Sequence, residues 1–172
     1  DIFNNNRITD KGLRLTLSRN TRLPWMVGID HIIHDNQLYL ENDRNTLFEI
    51  GRKDPETSVF GQIKLGSNRG FMAEPALRAT HFGGTGDVYL LPQMYLRYYF
   101  NNNFFVKSSA GRQAQFVRQI DHENILGQSQ QFFAMANGAS VPTGIGNNYM
   151  AGGWKSWGNI VLDVEAYYRT LY

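Results

Sequence analysis

The stretch IVLDVEAYYRTL, residues 160–171, decides the fold. Ile160, Leu162, Val164, Ala166 and Tyr168 fall on one side of an extended chain, with Asp163, Glu165, Tyr167 and Arg169 on the other. Successive side chains of a strand point to opposite faces, so this is a strand with one apolar and one polar surface. Residues 88–100 repeat the pattern: Val88, Leu90, Pro92, Met94, Leu96, Tyr98 and Phe100 oppose Gln93, Tyr95 and Arg97. Phe71, Ala73, Pro75, Leu77 and Ala79 stand against Glu74, Arg78 and Thr80, and Leu13, Leu15 and Leu17 against Arg14, Thr16 and Ser18.

Extended along the chain, the alternation predicts about eight strands, over residues 11–19, 25–41, 57–66, 71–82, 88–100, 104–118, 149–155 and 159–171. Several reach 12 residues or more, against about 5–6 for an average soluble strand. A tilted strand needs about 9–11 residues to cross the hydrocarbon of a membrane. The connections run about 5, 15, 4, 5, 3, 30 and 3 residues. Every odd-numbered one is tight: Asn20 to Pro24, Ser67 to Gly70, Asn101 to Asn103 and Ser156 to Gly158. Short turns at one rim and long loops at the other are the asymmetry of an outer-membrane barrel, whereas a soluble meander has no reason to sort its loops. Thr46 to Arg52, inside the second connection, reads as a hairpin extension above the membrane.

Composition agrees. Aromatic residues are 13% of the chain and hydrophobic residues 42%, with a mean hydropathy of −0.41; alternating strands average to such mild values. No apolar run of about 18 residues is present, which excludes a transmembrane helix and says nothing of a barrel. The chain has no cysteine, hence no disulfide, thiolate metal site or thiol nucleophile. A net charge of +2 and a pI near 8.9 are too mild to argue for nucleic acid. The chain opens at Asp1 with no Met, charged leader or apolar signal segment, and is expected to be a piece of a longer protein. Trp25, Trp154 and Trp157 all lie at tight turns, and Phe71, Tyr98, Phe100, Phe104 and Phe105 flank others. Together they predict an aromatic girdle at the membrane boundary. Pro75 and Pro92 interrupt strand ladders on the outward face, where local bulges are expected.

Residues 56–119 add a resemblance. They contain ETSVFGQIKLGSNRGFMAEPALRATHF and VYLLPQMYLRYYFNNNFFVKSSAGRQAQFVRQ, which resemble the mid-barrel of TonB-dependent receptors, especially those of Bacteroidetes-like bacteria. The matching positions are Pro75, Leu77 and Arg78, then Pro92, Leu96, Arg97 and Tyr98, then Asn103, Val106, Lys107, Ser109, Gly111, Arg112, Gln115 and Phe116. Residues 148–171 are similar to the family's next hairpin. The resemblance implies an all-β, antiparallel up-and-down transmembrane barrel segment, a partial wall of a larger barrel of about 22 strands around a plug. Residues 1–172 then form one region with no plug domain, and TonB is engaged through a plug outside this chain. The implied function is energy-coupled uptake of a scarce nutrient, a metal chelate, vitamin or oligosaccharide, in the outer membrane of a Gram-negative bacterium, with outer-membrane lipid around the wall.

Catalytic constellations are weak. Asp121, His122 and Glu123 are consecutive loop residues, which seldom converge on a metal. His31 and His34, with Asp30 and Asp35, suggest an H-x-x-H site, but positions three apart face opposite sides of a strand. No G-x-S-x-G elbow is present, and Gly83, Gly84 and Gly86 lack the Lys-Ser/Thr and helix of a phosphate loop. No enzyme activity, metal or cofactor is expected. The inward face carries Glu74, Arg78, Tyr95, Arg97, Lys107, Gln113, Gln115, Asp163, Glu165 and Arg169, whose plain role is pairing across the lumen or against a plug. Substrate-contact candidates lie towards the extracellular rim: Gln115, Arg118, His122, Gln128, Phe132 and Phe133. The last four belong to the long loop 119–148, a substrate-contacting or lid element. Two further readings stand beside transport: a complete eight-stranded outer-membrane barrel with a structural or adhesion role, and a soluble β-barrel ligand-binding protein.

Overall fold

The computed structural model describes the backbone of residues 2–42, 46–67, 69–123 and 129–172, and side chains over 6–37, 51–67, 69–120 and 132–172. Every regular element among them is a strand: β1 (Ile2–Arg19), β2 (Trp25–Asn42), β3 (Thr46–Ile63), β4 (Leu65–Gly66), β5 (Phe71–Phe82), β6 (Val88–Asn101), β7 (Phe104–Gln115), β8 (Val117–Glu123), β9 (Ser129–Met135), β10 (Gly144–Trp157) and β11 (Ile160–Leu171). The main sheet runs β1-β2-β3-β5-β6-β7-β10-β11, each strand antiparallel to the next, with β4 continuing the line of β3 beside β5. β8 and β9 form a separate hairpin between β7 and β10.

Register carries the alternation of each strand into two continuous surfaces. Leu15, Ile29, Val59, Ala79 and Leu90 are successive ladder partners on one face, as are Met94, Ala110, Tyr149 and Tyr168. No second layer of the described residues covers this face: Ile160 is 67% exposed, Val164 58% and Val59 58%. Soluble monomers rarely expose a contiguous apolar patch beyond a few hundred Å². This bare face is apolar across all eight strands of the main sheet.

The other surface is polar, and one of its rows measures the slope of the wall. Ser18, Met26, Gln62, Ala76, Gln93, Gly111, Asn148 and Arg169 pair in sequence across the sheet. Ser18 is one residue from the short-turn end of β1, and Arg169 is nine from that end of β11, a stagger of eight residues over seven strand steps. With a rise of about 3.3 Å per residue and about 4.8 Å between strands, the strands lean about 38°, inside the roughly 35–45° of transmembrane barrels.

Strands are longer than the alternation alone predicts. β1 begins at Ile2 rather than residue 11, and β3 at Thr46 rather than 57, so the apparent 15-residue connection is largely the predicted hairpin extension. Beyond the apolar band the ladder continues while the apolar–polar alternation of the sequence stops. The predicted strand 104–118 breaks at Phe116, β10 starts at Gly144 rather than 149, and the long loop holds the β8–β9 hairpin. Neither proline forms a bulge. Pairing keeps step from Gln62–Ala76 to Leu65–Ala73 across Pro75, and the β6–β7 ladder ends at Gln93–Gly111, next to Pro92. The missing N–H of each thus falls at a gap or end of a ladder, where no donor is required.

The girdle is also partly redistributed. Trp157 pairs with Ile160 on the outward face, beside Lys155, whose Nζ lies 4.6 Å from the Trp157 ring centroid. Tyr98, Phe100 and Phe104 pack edge-to-face and stacked on the same side. Trp154 and Phe105 point inward and stack on each other at 5.1 Å, because positions three apart on a strand, such as 154 and 157, face opposite ways.

Candidate functional site

The polar face of the sheet is built in tiers from the short-turn rim upward. Lowest is a cage around Arg97. Its Nε donates to Tyr95 Oη at 2.8 Å and its Nη1 to Tyr99 Oη at 2.6 Å. The guanidinium also stands 4.8 Å from the centroid of Phe105, which Trp154 backs. Two-residue spacing along β6 places Tyr95, Arg97 and Tyr99 on one face. Alongside, Lys107 donates to Asp163 at 2.8 Å and to Glu165, tying β7 to β11 across β10.

Higher up, Asp30 is nearly fully buried and shared by two arginines, Arg14 from β1 and Arg78 from β5. Arg14 Nη2 donates to it at 2.8 Å and Arg78 Nη1 at 3.0 Å. Phe60 of β3 lies beneath both cations, 4.9 Å from Arg78 and 5.9 Å from Arg14. Gly28, next to Phe60, leaves room for that ring: a Cβ there would stand 2.5 Å from Phe60 Cζ. The cluster carries one positive charge more than it neutralises.

Above the triad, His34 is 6% exposed and contacts carboxylates through both ring nitrogens, Nδ1 to Asp10 at 2.8 Å and Nε2 to Glu56 at 3.2 Å. Ser58 and Thr80, both buried, share a hydroxyl hydrogen bond of 2.8 Å. Phe82, wholly buried, stacks on Phe116 at 4.3 Å with Tyr89 edge-on to Phe116, and Ala136 completes this small core. His31, by contrast, faces outward and meets Thr57 Oγ1 at 2.9 Å, so the two histidines separate as their spacing dictates.

The core anchors the β8–β9 hairpin. Ala136 N–H donates to Phe116 O at 2.7 Å. At the other side of the sheet, Asn6 and Asn36 grip one residue of β9: Phe133 N–H donates to Asn6 Oδ1 at 2.8 Å, and Asn36 Nδ2 donates to Phe133 O at 2.9 Å. A further 3.1 Å bond from Asn6 Nδ2 to Asn36 Oδ1 locks the pair. Two amide side chains thus act as a one-residue strand edge. For a hairpin rooted between β7 and β10 to reach β1 and β2, the sheet must curl with its polar face concave.

Gln115 ends β7 on the polar face, exposed. Arg118, on β8, lies against Gly144 and donates through Nη2 to the carbonyl of Tyr172 at 3.1 Å, while its Nε is buried with no partner among the described residues. Phe132 is half-buried and Phe133 exposed on β9. The side chain of His122, with those of Asp121 and Glu123, and all of Gln128 lie outside the described residues. Arg118 and Phe133 therefore belong to one hairpin held to the wall, while Gln115 stands at its root. Among the described residues, no group of three His, Asp or Glu side chains is placed to hold a metal. Sequence reasoning missed Phe60, Phe82, Asn6 and Asn36, and weighed Asp30 only beside the histidines, not between Arg14 and Arg78. Asp30 and Phe60 share an inward parity with Arg14 and Arg78, a signal that was present; the asparagines lie where alternation has faded.

No family model matches the chain, and no curated protein matches its sequence. Solved structures do. The siderophore receptor PirA from Pseudomonas aeruginosa superposes with a TM-score of 0.67 at 12% identity, over 98% of this chain and 33% of that one. The ferric yersiniabactin uptake receptor FyuA from Yersinia pestis gives 0.67 at 11%, over 99% and 29%. The ferric enterobactin receptor PfeA from Pseudomonas aeruginosa, as the R480A_Q482A mutant, gives 0.65 at 13%, over 96% and 27%. The chain spans a third or less of the receptors it matches. Its fold is that of a length of outer-membrane receptor wall, which the resemblance to TonB-dependent receptors led one to expect.

Proposed function

We propose that the chain is part of the barrel of a TonB-dependent transporter in the outer membrane of a Gram-negative bacterium, taking up a scarce nutrient in an energy-coupled way. One observation carries this: an eight-stranded sheet with a bare apolar outer face, a polar concave face and a barrel's stagger, whose two margins, the outer edges of β1 and β11, are unpaired among the described residues. Within hydrocarbon every backbone N–H and C=O must be bonded, so such edges call for further strands on both sides. A complete eight-stranded barrel would instead pair β1 with β11, and a soluble protein would cover the apolar rows. Neither is favoured.

In this reading the concave face meets a plug domain outside this chain, through which TonB acts. Nutrient passes between the two. Of a metal chelate, a vitamin and an oligosaccharide, we favour a ferric chelate, supported by the siderophore receptors that share the fold. The excess positive charge around Asp30 and on Arg97 suits an anionic chelate or an acidic plug surface. Gln115, Arg118 and Phe133, with Phe132, His122 and Gln128, are the proposed substrate contacts at the rim. The chain has no catalytic role. Deletion of the gene should abolish uptake of a radiolabelled ferric chelate and slow growth under iron limitation, and loss of TonB should give the same defect. Unchanged uptake of ferric chelates in the deletion strain would remove the ferric substrate, and uptake indifferent to TonB the energy coupling.

A further inference from the structure

The lipid-facing surface is not uniformly bulky. Along β7, Ser108 and Ala110 form the floor of a trough with Ala151 of β10 beside them. Met94 walls one side, and the stacked rings of Tyr149 and Tyr168, 6.2 Å apart, wall the other. This lower cavity of about 470 Å³ shares Met94, Ala110 and Tyr149 with an upper one of about 450 Å³, which reaches Pro92, Asn147 and Arg112. The trough climbs β7 away from the short-turn rim and stops at a guanidinium.

That guanidinium is uncommitted. Among the described residues no carboxylate comes within ion-pairing distance of Arg112, and it stands exposed on an outward position. A lone cation on the lipid face is costly at mid-membrane and nearly free of cost at the interface; eight residues above Phe104, at about 3.3 Å of rise each and a lean of about 38°, Arg112 is roughly 21 Å up the wall. It also has company. On outward strand positions above the apolar band the described charges are Arg7, Lys11, Lys53, Arg112 and one acid, Asp35, which Lys53 Nζ holds at 3.0 Å. The upper margin of the lipid face is basic, whereas the trough below Arg112 is apolar.

An apolar trough capped by a free cation at a membrane surface matches an amphiphile of one polarity. The geometry points to a binding site for a phosphorylated lipid of the outer leaflet, with an acyl chain lying along Ser108 and Ala110 and a phosphate on Arg112. The site rests on the reading of this face as lipid-facing. Asn147, the neighbour of Arg112 in the next strand and on the same face, adds an amide to the headgroup side.

The test uses the full-length protein in dodecyl maltoside, titrated with diphosphorylated lipid A and read by native mass spectrometry. Arg112→Ala should weaken binding about fivefold, equivalent to about 1 kcal/mol for one basic side chain near an anionic surface. Ala110→Phe, which fills the trough, should weaken it by a similar factor, and Lys155→Ala at the opposite rim should leave it unchanged. Dephosphorylated lipid A should bind as weakly as the Arg112→Ala variant does, and inorganic phosphate at the lipid's concentration should not displace the lipid. Wild-type affinity in both trough variants, undiminished binding of the phosphate-free lipid, or displacement by inorganic phosphate would each overturn the site. Recovery of the wild-type protein folded and monomeric without detergent would overturn the membrane assignment itself, before any lipid is added.

Discussion

The lower and upper parts of this wall are the same ladder stabilised in two ways. Below, from the short turns to the level of Leu13 and His31, strands present Leu15, Ile29 and Val59 outward and Arg14, Asp30 and Arg78 inward. One side is a bare apolar surface, and ion pairs and cation–π contacts organise the other. Above, the strands run on with polar side chains on both faces, and stability comes from Phe82, Phe116 and Ala136 beneath a folded-over hairpin. The lower part leaves its apolar surface uncovered, whereas the upper part carries a small buried core of its own. Identical backbone geometry therefore answers to different side-chain rules a few residues apart.

That contrast can be broken from either side. The largest effect is expected in the upper part: Phe82→Ala removes the largest fully buried side chain among the described residues and its stack on Phe116, at about 3–5 kcal/mol. Hydrogen exchange should show the loss in β8–β9 and the β5–β6 connection, with the lower strands unaffected. Next comes a charge on the lower outer face. Val59→Arg should cost about 2–4 kcal/mol when unfolding is measured in a bilayer, against about 0–1 kcal/mol for Thr9→Arg above the band. In a soluble protein both sites are surface positions and both costs would be near zero, so equal small effects would refute the lipid contact. Smallest is Asn36→Ala, which deletes one side of the grip on Phe133. A cost of about 0.5–1.5 kcal/mol is expected, visible as faster proteolysis of the 117–135 hairpin with the overall melting temperature scarcely moved.

The same contrast explains what could be read in advance. Residues 160–171 and 88–100 announce their strands because every second residue lies on one continuous apolar face. Residues 2–10 and 46–55 are equally extended but announce nothing, since their sequence carries no such alternation. Tight turns, the sorting of connections and the inward set around Arg97 and Lys107 were legible from parity. The grip of Asn6 and Asn36 on β9 was not, because it joins residues 97 and 127 apart in the chain, and no local pattern encodes a contact made by curling the whole sheet. Trp154 and Phe105 were misplaced for a simpler cause: proximity to a turn was weighed above parity, which sets Phe105 on the side of Lys107 and Trp154 opposite Trp157.

The lean of the strands has a mechanical consequence. A pull directed along the membrane normal, such as one exerted on anything seated inside the wall, resolves mainly along each strand and only secondarily across it. Hydrogen bonds between neighbours are then strained together, in shear, instead of being unzipped one after another from a turn. Strands of 12 to 18 residues divide such a load over many bonds at once. The slope that lets the sheet roll up also lets it bear traction without tearing.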